Sequence, residues 1–500
     1  MVNIMKKQLC KARLKLQFVL LFLIIFEAAS DTMKLNFETA VGLALQKNSK
    51  VQQYREKLNS KKYDHLSALG SYVPSVSLQS SYTRIKSPLT FDLNPIRDAL
   101  ISLEAQDMIQ DINLQNQIKG NPAITSDSKI YKDLYSQIQS GLQNGIPPFL
   151  DTLKEQQYPS ASVVVVQPVF TGMRITAASK AANADKQAAQ FDLERIQNEV
   201  TKETLIHCVN LIVVKELIVI RRNVLEDMQR HLQKAQALVE QGMIARYQFL
   251  RAKVAVAEAE RNLEDELNRY EVVQLAIKKN CAIPDSEKIA LTDTLVYTIV
   301  TDSIGQYENR AQCRQPIFHI INKNMEMAKQ KVVALKGVMY PQISVFGKYE
   351  LFKDYLSALE PQWAFGVQAS FNLFNGGKNL AAIQSAFHLT KEIEQIGITA
   401  KREISMWINK AYRDMRSAES RYMRLDTDLE LATENLHQCQ SRFESGYGTS
   451  LEVIDAELVL ERNKIDRLVA LGEYYKALAE LNAAAGDSYE MIKFITGDKR

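Results

Sequence analysis

The chain has 500 residues, of which 46% are hydrophobic and 24% are charged, with five cysteines and six histidines. Its formal net charge of +4 is accounted for by residues 1–30, where five Lys/Arg side chains accompany one acid, so the remainder is balanced. This balance excludes a protein that binds nucleic acid through a strong excess of positive charge. The few scattered cysteines also exclude a small domain held together by disulfides.

Residues 1–30 have the pattern of a secretory signal peptide. Five basic residues precede the apolar stretch Leu16–Phe26, and Ala28-Ala29-Ser30 supplies a small-residue cleavage site. The alternative, a membrane-spanning helix, is disfavoured because eleven mostly apolar residues are too short to cross a bilayer. No cysteine follows the apolar stretch, which disfavours a lipid-anchored N-terminus.

The mature chain reads as two repeats of one structural unit. Residues 169–174 (Val-Phe-Thr-Gly-Met-Arg) match residues 373–378 (Leu-Phe-Asn-Gly-Gly-Lys) at an offset of 204, and the offset persists to the ends of the following helical patterns. The first repeat additionally holds a proline-rich, polar stretch, expected to be a loop or a small appended domain. The predicted order is a first repeat at 31–284 (helix, strand, insertion 86–158, strand, helical hairpin), an equatorial connector at 285–301, a second repeat at 302–486 and a mobile C-terminal tail at 487–500.

Each repeat contributes two strands of a type found in membranes. Between Gln362 and Leu373, apolar and small or polar residues alternate with a period of two, over a length that can cross a bilayer's hydrocarbon at a tilt. Unpaired strand edges cannot stand in lipid, and four strands are too few to close a barrel. The chain is therefore expected to be an oligomer whose subunits share one β-barrel.

Each repeat also predicts two long helices joined at a glycine. Residues 173–241 and 376–445 form outgoing helices of roughly 100 Å at 1.5 Å per residue. Apolar residues on the return helices recur every seven positions, which predicts left-handed coiled-coil pairing of each outgoing helix with its return helix. Ordinary core helices are the alternative, disfavoured by the length without breakers. The register positions are Phe249, Val256, Leu263, Tyr270 and Ile277 in the first repeat, and Val453, Leu460, Tyr474 and Leu481 in the second.

These motifs resemble the TolC-like outer-membrane efflux channels. The resemblance lies in residues 374–378, in Arg442-Phe443-x-x-Gly446, in residues 451–456 and, in the first repeat, in residues 242–252. It implies a trimer with a 12-stranded membrane β-barrel continuous with a coiled-coil α-helical barrel in the periplasm. It further implies the outer membrane of a Gram-negative-type bacterium, a periplasmic adaptor (membrane fusion protein) and an inner-membrane pump as partners, and no cofactor.

Three sets of residues are candidate sites. The strand-to-helix turns are expected to act as hinges, at Phe170, Gly172, Phe374, Gly376 and Gly377. The adaptor is expected to dock on the helix tips, at Gly242, Met243, Ile244, Ala245, Gly446, Tyr447, Gly448, Thr449 and Ser450. Similar channels carry an acidic pair at the positions of Glu452 and Asp455, which implies a cation-selective pore constriction there; two solvated acids just past a turn are the alternative.

Other functions fit the sequence less well. Gly376-Gly377-Lys378 lacks the remaining residues of a phosphate-binding loop, and His437 and Cys439 have no companions that would make a metal site, so no enzyme is expected. A coiled-coil tether would need no amphipathic strands, and a diffusion porin would need no tunnel-length helices. Drug efflux and type I protein secretion both remain open, and so does a disulfide between Cys281 and Cys313.

Overall fold

The computed structural model describes residues 33–357 and 360–496, so the predicted signal peptide at 1–30 lies outside the described residues. The helices are α1 (Phe37–Lys47), α2 (Ser49–Gly70), α3 (Asn94–Ile118), α4 (Lys129–Gly145), α5 (Arg174–Glu240), α6 (Arg246–Cys281), α7 (Ile304–Arg314), α8 (Pro316–Gly337), α9 (Lys378–Glu444), α10 (Ser450–Ala484) and α11 (Glu490–Thr496). The strands are β1 (Met33–Leu35), β2 (Ser75–Arg84), β3 (Leu89–Asp92), β4 (Leu150–Lys154), β5 (Gln157–Phe170), β6 (Ile289–Leu291), β7 (Gln342–Glu350) and β8 (Trp363–Ser370).

Residues 33–68, 176–332 and 380–496 form a helical unit. Its long helices α5, α6, α9 and α10 are the two predicted hairpins, and the second repeat's register positions Val453, Leu460, Tyr474 and Leu481 are all buried. The two return helices, α6 and α10, approach each other closely, with Ala252 and Ala456 in one buried cluster. Small side chains permit this approach, so apolar burial is shared among the hairpins as well as within each one.

The break in the seven-residue pattern at Arg467 is filled by polar contacts. The guanidinium donates to Asp426 Oδ1 at 2.5 Å and to Tyr422 Oη at 2.9 Å, and it lies over the Tyr422 ring. Asp426 and Tyr422 belong to α9, so this pair links the outgoing and return helices of the second repeat. A stacked, hydrogen-bonded arginine thus replaces an apolar side chain in the seam.

The connector is bound to the N-terminal segment and to the long helices. Strand β1 pairs in parallel with β6, and the Phe37 amide donates to Asp293 Oδ2 at 2.6 Å. Further along, Tyr474 Oη donates to the Thr298 carbonyl at 2.6 Å. These contacts hold residues 289–298 against the largest buried cluster of the unit.

Three expectations for this unit need correction or refinement. The first helix is divided at Asn48 into α1 and α2: the Asn48 backbone leaves the helical region, with ψ 128°, and its side chain donates to the Asn280 carbonyl at 2.9 Å. The tail is helical over Glu490–Thr496, and Met491 is fully buried, so this segment is not a mobile tail. Cys281 and Cys313 are both free, and Cys281 lies buried with its thiol directed to the Ala40 carbonyl. Burial raises the pKa of the Cys281 thiol to about 11.

Residues 69–175 and 333–379 form the second unit, built on an antiparallel sheet of order β2-β5-β7-β8. The register places Leu78, Val163, Tyr349 and Trp363 on one face, and on the other their neighbours, which are polar or small except for Val164. The apolar face is exposed; Leu78 and Phe365, for example, are 68% and 73% accessible. In the described part of the chain, no strand pairs with the outer edge of β2 or of β8.

The insertion is a folded helical hairpin instead of an irregular loop. Helices α3 and α4 pack together, and strands β3 and β4 pair beneath them. Pro95 lies at the first turn of α3, where a missing amide is tolerated, so it starts this helix without interrupting it.

Over residues 33–357 and 360–496, no helix has both the length and the apolar character needed to cross a membrane. The same residues contain no group of three His, Cys, Asp or Glu side chains placed to hold a metal ion.

Candidate functional site

The two strand-to-helix turns differ in their surroundings. Gly172 has φ +62°, and a Cβ there would lie 2.2 Å from the Gly337 carbonyl oxygen, so the two backbones touch and no side chain fits. Gly376 and Gly377 have φ of +66° and +79° with open space around them. Phe170 and Phe374 are 40% and 84% exposed. The first turn is therefore locked against α8, and the second is not.

The tip of the first hairpin, residues 241–245, is a glycine turn without a side-chain cap. Gly242 adopts φ +72°, and the Met243 amide donates to the Leu238 carbonyl at 2.9 Å. Ala245 occupies the N-cap of α6 and has no side chain that could accept a hydrogen bond there. Met243 is about half exposed, Ile244 is partly buried and Ala245 is exposed.

The tip of the second hairpin, residues 445–449, is more tightly bonded. Gly446 adopts φ +76°, and the amides of Tyr447 and Gly448 both donate to the Arg442 carbonyl, at 2.9 and 3.0 Å. Thr449 caps α10 by accepting from the Glu452 amide at 3.3 Å. Gly446, Tyr447 and Thr449 are exposed, whereas Gly448 is buried. A Cβ on Gly446 would reach Met243 at 3.4 Å, so the two tips are neighbours.

Ser450 is fully buried and joins the two hairpins. Its amide donates to Gln248 Oε1 at 3.0 Å, and its hydroxyl lies 2.7 Å from Nε2 of His231 on α5. The His231 ring packs on Phe443 with a centroid distance of 4.7 Å. Burial, with a smaller contribution from Lys234, lowers the pKa of His231 to about 4, so the ring is neutral at physiological pH. Ser450 is therefore a support beneath the tip surface and not an exposed contact in this structure.

Glu452 and Asp455 lie together on the first turns of α10. Asp455 is exposed and has no ion-pair or hydrogen-bond partner among the described residues. One oxygen of Glu452 lies 3.9 Å from an Arg442 guanidinium nitrogen and lacks a hydrogen-bond partner within the same residues. Both carboxylates lie near the tip, and one buried oxygen of Glu452 is left without a hydrogen bond among the described residues.

Sequence reasoning missed the polar residues that lie inside the helical unit near this tip. Glu457, five residues beyond Glu452, is only 3% exposed, and burial raises the pKa of its carboxyl group. Glu461, one turn further, is paired with Arg221 at 2.6 Å. No sequence motif marks His231, Glu457 or Glu461. They are brought together by the packing of the four long helices, and one sequence alone does not show which faces of those helices pack together.

The chain is similar in sequence and in fold to known outer-membrane proteins. Residues 309–487 match the family model described as Outer membrane efflux protein. The fold is similar to that of the outer-membrane channel OprN, with 14% identity, a TM-score of 0.68 and coverage of 90% of this chain and 89% of that chain. It is also similar to the outer membrane protein VceC from Vibrio cholerae (14% identity, TM-score 0.68, 90% and 96% coverage) and to the Campylobacter jejuni CmeC outer membrane channel (12%, 0.67, 92% and 88%). No curated protein sequence matches the chain. The predicted resemblance is confirmed, and the fold is the one these channels share.

Proposed function

We propose that this chain, with the fold and sequence resemblance of an outer membrane efflux protein, is the exit channel of a tripartite efflux or type I secretion system in the outer membrane. The observation that carries the proposal is the four-stranded sheet with one exposed apolar face and two unpaired edges. Such a sheet is unstable in water and in lipid unless copies complete it. Three copies would supply twelve strands and close one barrel, and the long helices would continue it as a periplasmic tunnel.

The test of this proposal is the assembly and conductance of the purified protein. We expect native mass spectrometry in detergent to give a trimer, and planar bilayers to show ion-conducting channels. A well-folded monomer, or a trimer that conducts no ions under any applied voltage or adaptor condition, would contradict it.

We also propose that the insertion, residues 86–158, lies outside the cell. It occupies the same end of its repeat as the short connection between β7 and β8, and a tunnel on the periplasmic side leaves that end for the exterior. Lys119 and Lys129 are exposed. An amine-reactive, membrane-impermeant label should reach them on intact cells; protection until the outer membrane is broken would reverse the topology.

The adaptor's docking surface is proposed to be the exposed part of the two tips: Gly242, Met243, Ala245, Gly446, Tyr447 and Thr449, with the partly buried Ile244. Small residues allow a partner's helices to approach the backbone. Tyr447, which is 85% exposed, offers an aromatic side chain that a partner can bury. Gly448 and Ser450 support this surface from beneath. Tyr447→Ala should weaken adaptor cross-linking several-fold while the trimer persists. The matched control Tyr63→Ala changes an exposed tyrosine on α2, away from both tips, and should leave cross-linking unchanged.

Glu452 and Asp455 are proposed to form the pore constriction. In a trimer they would bring six carboxylates together, and rings of acidic side chains favour cations. Glu452 supports this role, because one of its carboxylate oxygens is buried and has no hydrogen-bond partner among the described residues.

A further inference from the structure

Helix α3 of the insertion is apolar on two opposite faces. Ile101, Ala105 and Ile109 are fully buried against α4. On the other side of the helix lies a second row of large aliphatic side chains, each more than half exposed: Ile96, Leu100, Leu103, Leu114 and Ile118. At 100° per residue these five fall within about 40° of one line, opposite the buried face. We call this row the α3 stripe.

The α3 stripe is displayed on a rigid support. At one end of the hairpin, Arg97 donates to the carbonyls of Gln143 and Ile146, at 2.7 and 2.6 Å, and so satisfies the C-terminus of α4. At the other end, the Asn113 side chain exchanges two hydrogen bonds with the backbone of Ile124, at 3.1 and 2.7 Å. Because both ends are fixed, the exposure of the stripe does not come from a loosely folded helix.

The spacing of the stripe matches the seam of a helix–helix contact. Ile96, Leu100 and Leu103 follow the four-three alternation of a coiled coil, which resumes at Leu114. Asp107 and Gln110 occupy the seam positions in between. Polar residues within a seam lower the stability of the pair but fix its register, so the row fits a helix of defined alignment better than a lipid surface.

The charge of α3 also argues against lipid as the covering surface. The helix carries Arg97 as its one basic residue against Asp98, Glu104, Asp107 and Asp111. Helices that lie on membranes are rich in Lys and Arg, which attract anionic headgroups. An acidic helix without basic residues along its flanks is repelled from such a surface.

The position of α3 in the chain indicates which surface covers the α3 stripe. Strand β2 is an edge of the sheet, and α3 follows it after only the short strand β3. In a closed ring the free edge of β2 must be covered by the β8 edge of the next copy, and threefold symmetry then sets one α3 from each copy around the same mouth of the barrel. We propose that the α3 stripe packs against the α3 stripes of the other copies, forming a helical bundle on the insertion. This inference rests on the proposed oligomer.

Disulfide trapping tests this contact. In a background of Cys313→Ser and Cys439→Ser, which removes the two cysteines that are not buried, Leu103→Cys should convert most of the monomer band into covalent dimer under mild oxidation. Leu114→Cys, the second variant, should do the same. Glu104→Cys is the matched control, because Glu104 is exposed and next to Leu103 but is turned 100° from that residue around the helix.

Native mass of the same samples separates the two proposals. Trimers in which neither Leu103→Cys nor Leu114→Cys cross-links would overturn the α3 contact and leave the channel proposal standing. A monomer would overturn both. Cross-linking of Glu104→Cys as strong as that of Leu103→Cys would mean random collision and would also overturn the contact. Quenching of a fluorophore on Leu103→Cys by spin-labelled lipid would assign the stripe to the membrane instead.

Discussion

The two repeats have the same parts in the same order, yet they differ at both ends of the long helices. At the strand-to-helix turn, the first repeat presses Gly172 against Gly337, whereas the equivalent Gly376 has open space around it. At the tips, Thr449 caps its helix, whereas the equivalent Ala245 does not. The two repeats share the path of the backbone. Their side chains differ, so the first repeat has a strand-to-helix turn in close contact with α8, and the second has a capped, acidic tip.

The interior near the tips shows the same division. His231 on α5 is buried against Ser450, while Asn435, which lies 204 residues later on α9, is exposed. The first repeat thus supplies a support for the tip of the second.

The largest expected effect concerns the locked turn. Gly172→Ala and Gly376→Ala both place a side chain at positive φ, at a cost of roughly 1–2 kcal/mol. Only Gly172→Ala adds a clash with the Gly337 carbonyl, whose relief requires a backbone shift. The heat resistance of the proposed trimer should therefore be largely lost in Gly172→Ala and mostly retained in Gly376→Ala. Equal losses would show that the two turns are equivalent.

The next effect concerns His231. Its pKa of about 4 in the folded protein lies below the ordinary value of 6.5, so the unfolded chain binds the proton first as the pH falls. Between pH 6.5 and 4 the wild-type protein should lose up to about 3 kcal/mol from this group, and no more below pH 4. His231→Gln should remove that part of the pH dependence in denaturant titrations. Asn435→His, the exposed equivalent, should add none; an equal change there would contradict the buried role.

A smaller effect concerns the acidic pair. Glu452→Gln combined with Asp455→Asn should reduce the cation preference of the channel several-fold in planar bilayers. The equivalent positions of the first repeat are Gln248 and Arg251, and Gln248 already bonds Ser450, so Arg251→Gln is the control. It should leave the preference unchanged. An unaltered preference in the double variant would place the constriction elsewhere.

The smallest effect concerns the caps. Thr449→Ala removes the hydrogen bond to the Glu452 amide and should cost about 1 kcal/mol of stability. Ala245→Ser should add a cap to α6, whose N-cap backbone is already extended, with φ −76° and ψ 146°. Together, the two substitutions would remove the N-cap hydrogen bond from the second tip and add one to the first tip. Thermal unfolding should move down for the first and up for the second, and the same direction for both would be inconsistent with the described capping.

Much of the fold was predictable because its signals are periodic. The strand β8 follows from alternation around Phe365, and the long helices follow from stretches without breakers. The helices of the insertion were harder to predict. Proline usually interrupts a helix, but Pro95 lies in the first turn of α3, where it is compatible with the start of a helix. The short helix Glu490–Thr496 has too few residues to show a period.

The candidate site was predictable in its location and less so in its interior. Gly242 and Gly446 mark both tips, because sharp reversals need glycine. The contact of His231 with Ser450 joins residues 219 positions apart on different hairpins, and it depends on the rotation of each helix. A one-residue change in that rotation moves a side chain by 100°, so a sequence pattern alone does not select the pairing.

The pairing of β1 with β6 has a consequence for the order in which the protein forms. Met33 is aligned with Ile289, and the Phe37 amide is bonded to a side chain 256 residues further along the chain. Strand β1 therefore lacks its partner strand during synthesis until more than half of the chain has followed. Closing so long a loop costs chain entropy before any contact compensates it, and contacts of large sequence separation form slowly. Until then the unpaired strand is a target for chaperones and proteases, so yield in the cell should depend on how quickly the connector is synthesised.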